Sequence, residues 1–227
     1  MSEPAISLTN VIKVFKLGAS IKIPIFNDLN FTCGTNDFVI LSGPSGSGKT
    51  TLLSIIGGLA TVDGGDVLVL NHHLSDMSEE DLALFRATYI GFVFQTGHLI
   101  DSLTVLENIM LPVHLAGANQ EEFQDKALEL IEEFQLAGRE HSLPILISGG
   151  EYQRVVFIRG LLMDPELLLV DEPTSNQDSA TSEIIHSKLS HLKGTRTIVC
   201  VTHNRDLFKL ADSIYIPEEG RLNQLSM

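Results

Sequence analysis

The chain has 227 residues, enough for one compact domain or one domain with a lobe inserted in it. Hydrophobic residues make up 44% and charged residues 19%, which supplies a core and argues against bulk disorder. The formal net charge of −14 argues against nucleic acid as the main partner and against direct adhesion to anionic lipid heads, since both need a basic face.

From the N-terminus, Met1 to Asn10 is mixed and polar, without the basic start and apolar run of a secretion leader. No apolar stretch anywhere reaches the ~18 residues of a spanning helix, so a cytosolic chain is expected. Ile6 to Phe15 and Ile21 to Phe31 alternate and are rich in β-branched residues, which predicts antiparallel strands. Phe38 to Leu41 is a short buried-strand run, followed by a glycine-rich loop and a helix over Thr50 to Leu59. A strand is expected at Asp66 to Leu70, a short helix at Glu79 to Arg86 and an apolar strand at Ile90 to Phe94. From Thr104 to Leu146, acidic residues alternate with Leu, Ile and Phe at helical spacing, which predicts a helical lobe. Leu167 to Val170 and Ile198 to Val201 are continuous apolar strands of the parallel kind, with a helix over Ser179 to Leu192 between them. Cys33 and Cys200 lie in or beside such runs without metal-ligand spacing and are expected to be buried, reduced thiols. The fold class is α/β: a mostly parallel core sheet, an N-terminal antiparallel part and an inserted α-helical lobe.

Gly43-Pro44-Ser45-Gly46-Ser47-Gly48-Lys49-Thr50 has the phosphate-loop spacing, after a strand and before a helix. Glycines there let successive N–H groups turn toward phosphates, Lys49 brings a point charge to the β- and γ-phosphates, and the Thr50 hydroxyl suits Mg²⁺. Leu167 to Val170 runs into Asp171 and Glu172. Asp171 can hold the water shell of Mg²⁺, and Glu172 can orient or deprotonate an attacking water. Ile147-Ser148-Gly149-Gly150-Glu151 precedes a further helix. Read alone it is either a turn capping that helix or a second anion cradle, and the sensible use of a second cradle is the γ-phosphate of ATP held by another copy.

These motifs, in this order, resemble the ATPase subunit of ABC transporters over essentially the full chain. The resemblance implies that Phe15 stacks on adenine, that ATP sits on Gly43 to Thr51, and that Gln95 is the glutamine touching Mg²⁺ and the partner. It implies that Ser148, Gly149, Gly150 and Glu151 contact ATP in trans, that Ser175 and Asp178 belong to the loop after Asp171-Glu172, and that His203 is the switch histidine. Catalysis would rest on Glu172, His203 and Lys49, and the metal on Thr50, Gln95 and Asp171. Gly91 to Leu99 and Leu103 to Ile109 resemble the group serving lipoprotein release, macrolide export and the division-linked FtsE system. The implied organisation is a single ABC domain, with a core of about 1–95 and 160–227 and a helical lobe of about 96–159. The implied partners are a second copy and integral permease subunits, at the cytoplasmic face of the inner membrane. An FtsE-like regulatory clamp that moves no cargo is the alternative.

Several positions depart from the family pattern. Phe15 stands for Tyr, Ile147 for Leu, Tyr152 for Gln, and Gln177 for an apolar residue. Gly160 replaces Ala within a helix, at a cost of about 1 kcal/mol in helix propensity. None of these removes a charged or phosphate-binding group.

Overall fold

The computed structural model describes residues 3–17, 21–175 and 177–225. In chain order it forms β1 (Ile6–Leu17), β2 (Ile21–Cys33), β3 (Phe38–Leu41), α1 (Lys49–Ile56), β4 (Gly64–Val69), β5 (His72–His73), α2 (Glu79–Tyr89) and β6 (Ile90–Val93). These are followed by α3 (Val105–Leu115), α4 (Gln120–Glu133), α5 (Gly149–Leu161), β7 (Leu167–Asp171) and α6 (Ser179–Leu192). The chain closes with β8 (Thr197–Val201), α7 (Arg205–Phe208), β9 (Ser213–Glu218) and β10 (Arg221–Leu225). Two compact units result, Met1–Leu82 with Lys193–Met227, and Ala83–Leu192.

In the first unit, β1 pairs antiparallel with β2 and β4, and β5 extends β4. The alternation expected of β2 holds only in part: Phe26, Leu29, Phe31 and Cys33 are its buried residues. The step from Leu29 to Phe26 is three residues because the pairing shifts there, at Asp28 with φ 62°. A matching shift on β1 falls at Asn10, φ 51°. Such bulges let the strand keep one apolar face despite an extra residue. The four residues of β3 are all buried, and β3 runs parallel to both β8 and β9, with β10 antiparallel beside β9. Phe31 meets Tyr215 edge-on at 5.2 Å, joining β2 to β9. The helix after the glycine-rich loop ends at Ile56, short of Leu59, because Gly57 caps it and Gly58 turns left-handed at φ 64°.

In the second unit, β6 and β7 are parallel, Ile90 facing Leu167 and Val93 facing Val170. The lobe predicted from acidic–apolar spacing is helical. Helix α3 begins in a capping box of Thr104 and Glu107, and α4 begins at Asn119 and buries Ala127, Leu130 and Ile131. Helix α5 is nearly continuous core from Val155 to Ile158, and Phe157 meets Phe134 at 5.7 Å. Both cysteines are free thiols and buried, as expected. Burial, then nearby Asp37 and Asp212, pushes the Cys33 thiol up to about 12. Among the described residues no helix is long and apolar enough to cross a membrane.

Candidate functional site

The phosphate loop leaves the C-terminal end of β3, where the crevice of a parallel sheet receives ligands. Its three glycines are left-handed: Gly43 at φ 136°, Gly46 at 80° and Gly48 at 97°. At Gly48 a Cβ would also lie 3.0 Å from Ile25 and Phe26 side chains, so conformation and packing both demand glycine. Gly48 caps α1 without any side-chain cap hydrogen bond. The Ser47 hydroxyl is buried without a partner, and beside it a Cβ on Gly46 would meet nothing within 4 Å. An orphaned buried donor under an open, N–H-lined loop is what an anion requires. Lys49 is buried, and its ammonium donates to the carbonyls of Gly43 at 2.6 Å and Pro44 at 2.7 Å, which holds the charge at the loop. Thr50 is exposed at the start of α1 and Thr51 is half-buried.

The same unit carries the two other predicted residues. Phe15 on β1 is 44% exposed, with the Lys13 ammonium 5.3 Å from its ring centre, so one aromatic face is open to stacking. His203 is exposed just after β8. Behind it Thr202 is buried, its backbone N–H donating to Leu41 of β3 at 3.2 Å and its hydroxyl accepting from Asn204 N–H at 3.0 Å. His203 and the phosphate loop therefore leave the same ends of two paired parallel strands.

In the second unit, Gln95 follows β6 and Asp171-Glu172 closes β7, again at the C-terminal ends of paired parallel strands. Gln95 is exposed and Asp171 buried. Glu172 has φ 48°, a left-handed backbone that costs a non-glycine residue of order 1 kcal/mol and that functional sites retain. The Ser175 hydroxyl donates to its carboxylate at 2.7 Å. Asp178 accepts from Thr181 N–H at 2.7 Å and Thr181 hydroxyl at 3.2 Å, and Arg154 donates to that hydroxyl at 2.7 Å. The Thr181 N–H first, with Thr181 hydroxyl and Arg154 behind it, holds the Asp178 carboxyl below its usual range. Asn176, in the middle of this loop, lies outside the described residues.

Ser148 caps α5 in a full capping box: its hydroxyl accepts from Glu151 N–H at 3.3 Å, and Glu151 accepts from Ser148 N–H at 2.7 Å. The cap uses the oxygen of Ser148 and leaves its proton to donate elsewhere, and both Ser148 and Gly149 are exposed. The turn is thus a cap and an anion-receptive N-terminus at once. Both oxygens of Glu151 are engaged within the chain, the second by Arg139 at 2.8 Å, and the Ser148 N–H holds its carboxyl below the usual range. A Cβ on Gly150 would come within 2.5 Å of Thr181 and 2.7 Å of Asp178, so the second glycine of the turn is fixed by the loop beside it. The single-sequence reading did not find Arg154, Thr181 or Asn108. Buried Asn108 accepts from Ile100 N–H at 2.7 Å and donates to the carbonyls of Ile100, Leu103 and Thr104, which fixes the stretch before α3.

Residues 26–175, which run from within β2 to the loop after Glu172, match the family model described as ABC transporter. The chain belongs to that family. It is 37% identical to the lipoprotein-releasing system ATP-binding protein LolD of Treponema denticola, over 99% of this chain and 100% of that protein. It is also 37% identical to the macrolide export ATP-binding/permease protein MacB of Chlorobaculum tepidum, over 95% of this chain and 33% of that one. Among solved structures it resembles the dimeric post-hydrolysis state of the ATP-binding cassette MJ0796 bound to ADP and Pi, at 35% identity and TM-score 0.90, covering 97% of this chain and 98% of that one. The cassette is an ATPase and an ATP-binding transporter subunit of the LolD/MacB-like group.

Proposed function

We propose that two copies of the cassette pair head to tail around two Mg-ATP and thereby drive a separate transmembrane permease of the lipoprotein-release or export type. The observation that carries this reading is the exposed N-terminus of α5. The chain has one N–H-lined phosphate loop at α1, and it presents a second anion-receptive turn at Ser148 to Gly150 whose serine proton remains available. The dimeric form of the MJ0796 cassette supports pairing.

In this reading Phe15 stacks on the adenine, the loop from Gly43 to Thr51 wraps the phosphates, and Ser47 gains the partner its buried hydroxyl lacks. Lys49 holds positive charge against the β- and γ-phosphates. Among the described residues no three His, Cys, Asp or Glu side chains gather as a metal site. Mg²⁺ takes one or two protein oxygens together with phosphates and water. The Thr50 hydroxyl, Asp171 and Gln95 would hold it, and when bound it neutralises charge on the phosphate oxygens. Ser175 keeps the Glu172 carboxylate aimed, and Glu172 orients the attacking water and accepts its proton. Ser148 and the α5 N-terminus of the second copy donate to the γ-phosphate, while His203 stabilises the charge that develops on it. Gln95 and the helical lobe of about 96–159 meet the permease, which places the cassette peripherally on the cytoplasmic face of the inner membrane.

Light scattering tests the pairing. The cassette alone is expected to be monomeric, and a hydrolysis-deficient variant dimeric with Mg-ATP only. A dimer equally tight without nucleotide would overturn the reading.

A further inference from the structure

The segment after Gln95 is held in a turn against α5. Gly97 and His98 are both left-handed, at φ 56° and 49°. Glycine takes that backbone freely, whereas histidine holds it only where its surroundings over-determine it. Those surroundings are one face of α5. The Tyr152 hydroxyl accepts the Leu99 N–H at 2.8 Å. Its ring stands 2.6 Å from where a Cβ on Gly97 would sit, with Val156 at 2.4 Å. Arg159 donates to the carbonyl of His98 at 3.1 Å and also to that of Gly97. Two successive peptide groups, Gly97–His98 and His98–Leu99, are therefore clamped to α5, the helix capped by Ser148 and Glu151. Tyr152 is one of the departures from the family pattern, which carries Gln there. A glutamine side chain is shorter than the tyrosine that spans this gap.

We propose that Tyr152 is a positioning residue that locks the segment Gly97–Leu99 to α5, so that the turn receiving the second copy's nucleotide and the segment facing the permease move as one piece. This rests on the assignment of those two surfaces above. Tyr152 acts through the Leu99 N–H and the Gly97 backbone.

Hydrogen–deuterium exchange on the full chain tests it, in the Glu172→Gln background with and without Mg-ATP, comparing Tyr152 with Tyr152→Phe. The phenylalanine keeps the ring and removes only the acceptor. Without nucleotide, Leu99 should exchange about five- to tenfold faster in Tyr152→Phe, as for loss of one hydrogen bond. With Mg-ATP, the parent should gain protection both at 148–152 and at 96–99, and Tyr152→Phe only at 148–152. A merely structural role would instead quicken exchange along all of α5 and lower the unfolding temperature in both nucleotide states. Unchanged Leu99 exchange, or undiminished protection at 96–99, would overturn the proposal. If even the parent gains no protection at 148–152 with Mg-ATP, the reading of the Ser148 turn fails instead, and the nucleotide-free comparison alone decides on Tyr152.

Discussion

Replacing Gly91 on β6 by alanine should destabilise the protein clearly. A Cβ there would sit 2.2 Å from the Gly160 carbonyl oxygen of α5, with Leu168 and Pro165 side-chain atoms at 2.8 Å. Ordinary carbon–oxygen contacts begin near ~3.3 Å, so helix and strand would have to separate by roughly 1 Å. The obstacle is backbone, which cannot swing aside as a side chain can. Overpacking of this kind costs about 1–3 kcal/mol, and the upper end applies when three groups obstruct at once. The reduced freedom of the unfolded chain returns about 0.4–1 kcal/mol. The net loss is about 2 kcal/mol, or a fall of about 4–8 °C in unfolding temperature at this chain length. Gly160→Ala is the internal control. Its Cβ would lie 3.0 Å from the Phe92 carbonyl oxygen and a Val93 methyl, so a shift of only a few tenths of an ångström is needed, and its cost offsets the gain of about 1 kcal/mol in helix propensity. Differential scanning fluorimetry should place Gly160→Ala within about 2 °C of the parent. A Gly91→Ala protein melting at or above the parental temperature would refute this account of how α5 packs on β6.

The native cassette should leave both thiols unmodified by a disulfide reagent at pH 8, because both are buried and Cys33 is pushed up to about 12, whereas both should react once the chain is unfolded. Rapid labelling of Cys33 in the folded protein would contradict its burial. Glu151 titrates below its ordinary value of 4.5 in the fold, so its contribution is complete above that value and is lost as the pH falls through and below it. Glu151→Gln should therefore be less stable than the parent at pH 7, with the gap closing toward pH 3. Acid and neutral melts of the two proteins would show this, and a gap that widens in acid would speak against the capping role.

The phosphate loop, the Asp171-Glu172 strand end and the Ser148 turn were legible in the sequence because their chemistry demands fixed residue types at fixed spacing beside a strand or helix. Strands β9 and β10 were not. Pro217 interrupts the first and the second is largely exposed, so neither shows an apolar period. Gly160 registered only as a propensity cost. Its reason, the close approach to Phe92, lies 68 residues back in the chain and leaves no local trace. Tyr152 registered only as a departure, since its partner Leu99 is 53 residues away. The apolar stretch from Leu99 to Leu111 gave no means of separating core from surface. In the fold Leu99, Val105, Ile109 and Met110 are buried, and Ile100 is exposed.

The assignment of Glu172 as the carboxylate that serves the attacking water is tested most directly by Glu172→Gln, measured for ATP turnover and for gel-filtration size with Mg-ATP. The amide keeps the side chain's size and can still accept from Ser175, but it cannot take a proton. Turnover should fall by about 10² to 10⁴, the range for losing a general base. Nucleotide affinity should hold, and the protein should elute as a dimer. Lys49→Ala, which removes the buried ammonium from the loop, should instead lose affinity and remain monomeric. A Glu172→Gln cassette that hydrolyses ATP at the parental rate would contradict the assignment.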